Sequence, residues 1–206
     1  MKIKFQKSEI DKLFFTSDLH LNHGNIIRHC NRPFSGLWEM NDVLIANWNS
    51  VVPKDGVVIV AGDLIWNNPM RYLPQLNGRI ILVFGNHDKA SIIMARKTHR
   101  NFFHLTCDLL DISINDEVRN SITVCHYQMR AWNKSHYNAA QLFGHNHSKN
   151  PFCGVGKQLN IGVDGNNFFP YTYTQIVEML GKCDDNPNLV KGRQNETSDV
   201  LSKLKH

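Results

Sequence analysis

Six short apolar runs constrain what this chain can fold into. They are rich in β-branched and aromatic residues, and helical patterns or polar loops lie between many of them. Each run has the length of a strand and is too short for an independent helix. The runs are residues 13–15, 57–60, 80–84, 122–125, 140–143 and 159–163. Their alternation with helical patterns predicts a mixed α/β fold built in layers.

Two segments have the spacing of amphipathic helices. Between the first two runs, apolar residues recur every three or four positions, at Leu37, Met40, Leu44 and Trp48. With Ser35 as the N-cap, this spacing predicts a helix from residue 36 to about residue 50, packed on a sheet. Residues 173–180 predict a last short helix that ends at Gly181.

The pattern changes after Cys107. Residues 111–114 and 121–125 flank a polar segment, residues 115–117, that could turn one strand back on another. An antiparallel second half is therefore expected. A sandwich of two sheets is favoured over a single doubly wound sheet.

Composition is typical of a soluble protein with one packed core. The chain has 206 residues, of which 42% are hydrophobic and 20% charged. We expect one domain over residues 1–181, followed by a polar tail, residues 182–206, that is mobile or marginally helical. The net charge is +5, but Lys and Arg form no block, so charge alone does not indicate a nucleic-acid-binding surface.

Location and cysteine usage give two further expectations. No apolar run approaches the roughly 18 residues of a membrane-spanning helix, so no membrane partner is predicted. The basic N-terminus is not followed by an apolar signal region, which predicts a cytoplasmic protein. The five cysteines include no C-x-x-C pair, which argues against a disulfide framework and a thiolate zinc site, and we interpret them as buried or incidental thiols.

Residue types that bind metals follow five of the six apolar runs. In open α/β sheets, ligands gather outside the carboxyl ends of the strands. A single Asp or His in such a place is commonly a turn former or a surface residue, but five in succession indicate a binding site. Carboxylate oxygens mixed with imidazole nitrogens suit two divalent transition ions better than calcium. The segments are Asp18-Leu19-His20, Gly62-Asp63, Gly85-Asn86-His87-Asp88, His126 and Gly144-His145-Asn146-His147.

This ordered set, D-x-H, G-D, G-N-H-D, H and G-H-x-H, resembles the calcineurin-like metallophosphoesterase superfamily and spans about residues 14 to 147. Other segments look like a compact bacterial and phage branch of it: Thr16-Ser17-Asp18, Asn25-Ile26-Ile27, Asn31-Arg32-Pro33-Phe34 and Asn160-Ile161-Gly162-Val163-Asp164. The resemblance implies a four-layered α/β/β/α sandwich of two mixed sheets flanked by helices. It also implies a dinuclear metal centre. One ion would bind Asp18, His20 and His147, the other would bind Asn86, His126 and His145, and Asp63 would bridge both.

The implied reaction is hydrolysis of a phosphoester by a hydroxide held between the two ions. His87 is the expected general acid at the leaving group. Asp88 is expected to orient a neighbour or to cap the following helix, and His23, Arg32 and Arg130 are candidates for contacts with the phosphate or a ligand. Mn²⁺ is the first choice of metal, with Fe, Ni, Co or Zn as alternatives.

Several substrate classes stay open. A small phosphorylated compound is expected, with a slight preference for a nucleotide-like phosphodiester over a monoester. A nuclease or an end-processing phosphatase acting on nucleic acid is the alternative, and a scaffold without activity is disfavoured because His87 is present. The aromatic residues that could stack on bases are interpreted as local packing: Trp66, Trp132, Phe152, Phe168 and Phe169. The loops expected to flank the metals are residues 66–72, 129–137 and 152–156.

Overall fold

A computed structural model describes residues 1–88, 102–115 and 121–190 of the chain. These residues form ten strands and four α-helices, joined by loops and short 3₁₀ turns. The strands are β1 (Lys2–Phe5), β2 (Leu13–Thr16), β3 (Val57–Val60), β4 (Arg79–Val83), β5 (Phe103–Cys107), β6 (Leu110–Ile114), β7 (Ser121–Val124), β8 (Ala140–Phe143), β9 (Gln158–Asn160) and β10 (Tyr171–Thr172). The helices are α1 (Asn25–His29), α2 (Leu37–Val51), α3 (Pro69–Tyr72) and α4 (Tyr173–Gly181).

The strands form two five-stranded mixed sheets. The first has the order β10-β2-β3-β4-β5, in which β2 to β5 are parallel and β10 is antiparallel to β2. The second has the order β1-β6-β7-β8-β9, in which only β6 and β7 are antiparallel neighbours. Two mixed sheets flanked by helices confirm the predicted fold class.

The first sheet is buried on both faces, which explains why its strands are continuous apolar runs. Phe14 faces the cluster that contains α2, where Met40, Leu44 and Trp48 are fully buried. Phe15, the next residue, faces the core between the two sheets. The hydrophobic stripe of α2 thus covers one face of this sheet, and the second sheet covers the other.

Most of the predicted elements agree with the structure. Strands β3 and β8 have the predicted bounds, and α2 begins and ends within one residue of the expected helix. Helix α4 has a capping box, in which the Gln175 amide donates to Thr172 Oγ1 at 3.2 Å and the Thr172 amide donates to Gln175 Oε1 at 2.8 Å. The antiparallel pairing of β6 with β7 is present, while the turn predicted at residues 115–117 lies partly outside the described residues.

Two expectations were wrong in detail, and three strands were not predicted. The run predicted for residues 159–163 is a strand only over Gln158–Asn160, and Val163–Gly165 forms a 3₁₀ turn. Strands β1, β5 and β10 were not predicted because each lies at a sheet edge, where the apolar pattern is weak. Ser35 is not the N-cap of α2; its amide instead donates to the Glu39 carboxylate at 2.6 Å, and Gly36 stands at the cap.

The chain beyond α4 packs against the second sheet's loops as far as Val190. Asn186 is buried, and its Nδ2 donates to the carbonyl oxygens of Ser135 at 2.9 Å and Ala139 at 2.8 Å. The rest of the expected tail, residues 191–206, lies outside the described residues. Among the helices that are described, none is long and apolar enough to cross a membrane.

Candidate metal centre

The carboxyl ends of five strands meet at one edge of the two sheets, and each carries a predicted ligand in the loop that follows it. Strands β2, β3 and β4 of the first sheet lead to the loops of Asp18, Asp63 and Asn86. Strands β7 and β8 of the second sheet lead to His126 and to the loop of His145 and His147. A bridge between Ser17 and Gly162 joins the loops after β2 and β9 at this edge. Ligands from both sheets therefore face one another.

The backbone at these loops is held in an unusual conformation. Five of the seven predicted metal ligands have a positive φ between 49° and 72°, which non-glycine residues adopt rarely. Such conformations persist where surrounding contacts fix them, and here the amide of Asp18 donates to the Gly62 carbonyl at 3.0 Å. Gly62 itself has a φ of 89°, and a Cβ there would lie 2.5 Å from His126 Nδ1. The five residues are Asp18, His20, Asp63, His145 and His147.

Asp63 lies at the middle of the cluster. Its Oδ2 atom is 3.5 Å from His20 Nε2 and 3.6 Å from His126 Nε2. Its Oδ1 atom accepts a hydrogen bond of 3.0 Å from the His87 amide. One carboxylate oxygen thus lies close to a ring nitrogen from each of the two predicted ligand groups, as a ligand shared by two ions would.

His20 presents a ring nitrogen without a hydrogen-bond partner. The residue is almost fully buried, and its Nε2 atom has none of the donors or acceptors that buried polar atoms usually find. Burial, followed by the positive charges of His147 and Arg32, lowers the pKa of His20 to about 2. The imidazole is therefore neutral, and its lone pair is available to a metal ion.

His147 is oriented by a carboxylate behind it. Its Nδ1 donates to Asp164 Oδ2 at 3.0 Å, which leaves Nε2 on the side of Asp18, 3.9 Å from Oδ1. Burial alone lowers the pKa of His147, but the hydrogen bonds with Asp164 and Cys30 and the charge of Asp18 outweigh it and raise the pKa to about 10. Ligand atoms of Asp18, His20 and His147 lie within 4.8 Å of one another and could hold one ion.

In the second group of predicted ligands, two hydrogen-bond acceptors lie against each other. His126 Nδ1 donates to the Ala61 carbonyl at 2.7 Å, so its Nε2 carries the lone pair. That Nε2 lies 2.9 Å from Asn86 Oδ1, which is also an acceptor. The His145 ring centre is 5.1 Å from that of His126. His126 is buried while Asn86 is exposed, so this half of the cluster opens to solvent. Two acceptors that face each other fit a metal ion bound by both. The unpaired Nε2 of His20 likewise fits a metal ion, in the group of Asp18 and His147.

Three comparisons with known proteins bear on this arrangement. The model of the calcineurin-like phosphoesterase family matches residues 12–152, which include all seven predicted ligands. The chain belongs to the calcineurin-like phosphoesterase family. This phosphoesterase is 31% identical over 181 residues to the uncharacterized protein MJ1445 of Methanocaldococcus jannaschii, a match that covers 83% of this chain and 92% of that protein.

A solved structure supports the fold. The crystal structure of the protein of unknown function AQ665 from Aquifex aeolicus superposes with a TM-score of 0.60 at 24% identity, covering 81% of this chain and 98% of that one. Membership of the phosphoesterase family implies divalent metal ions and a phosphorylated substrate.

His87 and Asp88 have different surroundings in this phosphoesterase. The His87 side chain is 37% exposed, and its Nε2 is 3.9 Å from Asp63 Oδ2. Asp88 is fully buried and accepts hydrogen bonds from the amides of Asp63, Leu64 and Gly85, at 2.7, 3.0 and 2.7 Å. Burial raises the pKa of Asp88, while these backbone bonds oppose the shift. Asp88 thus ties the loop of Asp63 to the loop of Asn86.

The two arginines offered as candidates for phosphate contacts have different surroundings. The guanidinium of Arg32 is buried and makes hydrogen bonds of 2.8 and 2.9 Å with both oxygens of Asp164. It also donates to the Asp18 carbonyl at 2.7 Å. Arg32 therefore supports the predicted ligand Asp18 directly and His147 through Asp164. Arg130 lines a cavity of about 550 Å³ together with Met129 and Trp132, and none of the predicted ligands lines that cavity. His23 lies beside the site, with its Nδ1 3.3 Å from His20 Nδ1.

No role was predicted for two supporting residues, Asp164 and Ser17, although both stand in segments that carry the resemblance. Asp164 directly follows the sixth apolar run, so the rule that found the ligands at the other strand ends also points to it. Ser17 stands directly before the predicted ligand Asp18, and its hydroxyl donates to Asp18 Oδ2 at 2.7 Å. Cys30 lies close to His147 and Asp164, in a group whose ligand atoms are within 4.8 Å of one another.

Proposed function

We propose that this chain hydrolyses small phosphodiesters of nucleotide-like structure, with two divalent ions, preferably Mn²⁺, bound at the cluster. The observation that carries the proposal is the position of Asp63 Oδ2, between His20 Nε2 at 3.5 Å and His126 Nε2 at 3.6 Å. A shared carboxylate reduces the repulsion between two neighbouring cations. Asp18, His20 and His147 would hold one ion, and Asn86, His126 and His145 the other.

The bound ions would supply a hydroxide nucleophile at neutral pH and positive charge at the phosphoryl oxygens. The chain itself supplies orientation. Asp164 and Arg32 fix the ring of His147, the Ala61 carbonyl fixes the ring of His126, and Ser17 fixes the carboxylate of Asp18. Support of this kind sets which nitrogen or oxygen atom faces the metal and raises the affinity of the site.

His87 is proposed to hold the proton that the leaving oxygen takes up. Its amide is bound to Asp63 Oδ1, so the side chain stays beside the bridging carboxylate while more than a third of it reaches solvent. An imidazole exchanges protons near neutral pH and suits general acid catalysis. The preference for a diester rests on the open side of His87, because a second ester group can extend into solvent there.

The proposal is tested with metal-stripped protein to which Mn²⁺ is restored. Hydrolysis of bis-p-nitrophenyl phosphate and p-nitrophenyl phosphate is compared in the wild type, in Asp63→Asn and in His87→Ala, together with the number of ions bound. The exposed variant Asp55→Asn is the control. We expect Mn²⁺-dependent turnover with a preference for the diester.

The two variants should differ. Asp63→Asn should lose turnover and metal together, whereas His87→Ala should keep its metal and lose about 10²- to 10⁴-fold in kcat. Turnover at the wild-type rate in Asp63→Asn contradicts the proposal. The absence of turnover in the wild type and in every variant, although two ions are bound, contradicts it as well. A preference for the monoester contradicts the substrate part alone.

A further inference from the structure

Trp66 is an exposed aromatic residue at the side of the metal centre where His87 lies. Its ring stacks on the imidazole of His23, with ring centres 4.0 Å apart and an angle of 7° between the planes. The His87 ring lies 4.8 Å from the same indole, inclined at 51°. The rings of Trp66, His23 and His87 thus form one cluster. The ring of His20 adjoins it, with its centre 5.2 Å from that of His23.

The ring distances show which surfaces of Trp66 are covered. The centres of His23 and His87 are 6.3 Å apart, so the directions from Trp66 to the two imidazoles are nearly at right angles. Because His23 lies over one face of the indole, His87 lies at its edge. The 40% of Trp66 that is exposed belongs to surfaces that these two imidazoles leave uncovered.

The backbone that carries the indole is held by contacts with the loop after β2. The amide of Trp66 donates to the Leu21 carbonyl at 2.9 Å, and a bridge pairs Leu21 with the preceding residue, Ile65, which is buried. Trp66 also follows the bridging residue Asp63 by three positions. A rigid aromatic face next to a catalytic group binds a planar ligand at little cost in conformational entropy.

We propose that the face of Trp66 opposite His23 is the platform for the base of a small nucleotide whose phosphoester bond is cleaved. This inference rests on the proposed function, since it places the leaving group beside His87. A base stacked on that face would extend the pair of His23 and Trp66 to three layers. Its sugar oxygen would leave at the edge where His87 lies.

The experiment compares two ligands that share the reacting end and differ in the base. Adenosine 5′-monophosphate and ribose 5-phosphate are titrated by calorimetry into the Mn²⁺-loaded wild type, Trp66→Ala, Trp66→Phe and Trp38→Ala. Trp38 is the matched control, because it is an exposed tryptophan that packs on Arg71 instead of on the cluster. The same titrations are repeated with His87→Ala as the background, which should keep its metal and lose turnover, so that the heat of binding is separated from the heat of hydrolysis.

Stacking of one base on an aromatic ring predicts that the wild type binds the nucleotide about 5- to 100-fold more tightly than ribose 5-phosphate. Trp66→Ala should lose this ratio while keeping its affinity for ribose 5-phosphate. Trp66→Phe should keep most of the ratio, and Trp38→Ala should keep all of it.

Two results would overturn the inference. One is that the wild type binds both ligands with the same affinity, and the other is that Trp66→Ala loses the same factor of affinity for both ligands. The second result would mean that the indole only positions His87. Much tighter binding of a single-stranded oligonucleotide, with steep salt dependence, would overturn the assignment to a small nucleotide. If the wild type prefers the nucleotide but cleaves no phosphoester, the proposed hydrolysis is wrong, and the inference that Trp66 binds a base is still supported.

Discussion

Replacing Asp88 by alanine tests how the loops of Asp63 and Asn86 are held together. Asp88 is fully buried and accepts three backbone hydrogen bonds, from Asp63, Leu64 and Gly85. Hydrogen bonds to a charged group contribute about 1.5–3 kcal/mol each, and a buried donor left alone costs about 1–3 kcal/mol. Water entering the cavity would recover part of this. We expect the free energy of unfolding to fall by about 3–5 kcal/mol, a large share of the typical 5–15 kcal/mol.

The assay is urea denaturation of the metal-free protein, followed by circular dichroism. Asp88→Asn keeps the shape and one acceptor oxygen, so it should fall between the wild type and Asp88→Ala. The exposed Asp55→Ala, which removes an ion pair with Lys12 at the surface, is the control and should leave the midpoint unchanged. A loss below about 1 kcal/mol in Asp88→Ala would refute the reasoning, because three buried amides would then have found other partners.

Three further predictions concern the ligands and their supports. Asp164→Asn should weaken Mn²⁺ binding about 10- to 100-fold, measured by competition with a chelator, because His147 loses its orienting carboxylate; unchanged affinity would contradict this. Binding of Mn²⁺ at pH 7.5 should release a proton from His147, whose pKa is raised to about 10, and none from His20, whose pKa is lowered to about 2. Calorimetry in two buffers of different ionisation enthalpy measures the release, which should shrink in Asp164→Asn. Arg32→Leu should weaken Mn²⁺ binding in the same sense as Asp164→Asn, and an effect on substrate affinity alone would show instead that Arg32 contacts phosphate.

Much of the candidate site could be predicted from the sequence because each ligand directly follows a strand. Asp18, Asp63 and Asn86 end three neighbouring parallel strands, and the carboxyl ends of such strands share one edge. The same local rule applies to His126 and His145 in the second sheet. The bounds of β3 and β8 could also be predicted from neighbouring residues, since polar residues bound each run of buried apolar ones.

Contacts between distant segments could not be predicted in this way. The sequence pattern offered Arg32 as a phosphate contact, yet 132 positions separate it from Asp164, and only the packing of α1 and its following loop against the 3₁₀ turn at Val163–Gly165 pairs the two side chains. Trp66 was interpreted as local packing because its spacing resembles no platform. Its contact with His23 arises where the loops after β2 and β3 run side by side.

The sequence by itself determined the layered α/β class, the order of the ligands along the chain and the mixture of carboxylates and imidazoles that favours two divalent ions. These properties depend on residue type and on neighbours along the chain. The tertiary structure alone decided that Asp63 Oδ2 lies within 3.6 Å of two imidazole nitrogens, that Arg32 is buried and paired with Asp164, and that the exposed Trp66 stacks on His23 beside His87. The physical reason is that these arrangements depend on how the two sheets pack, and packing brings together residues that have no fixed spacing in the sequence.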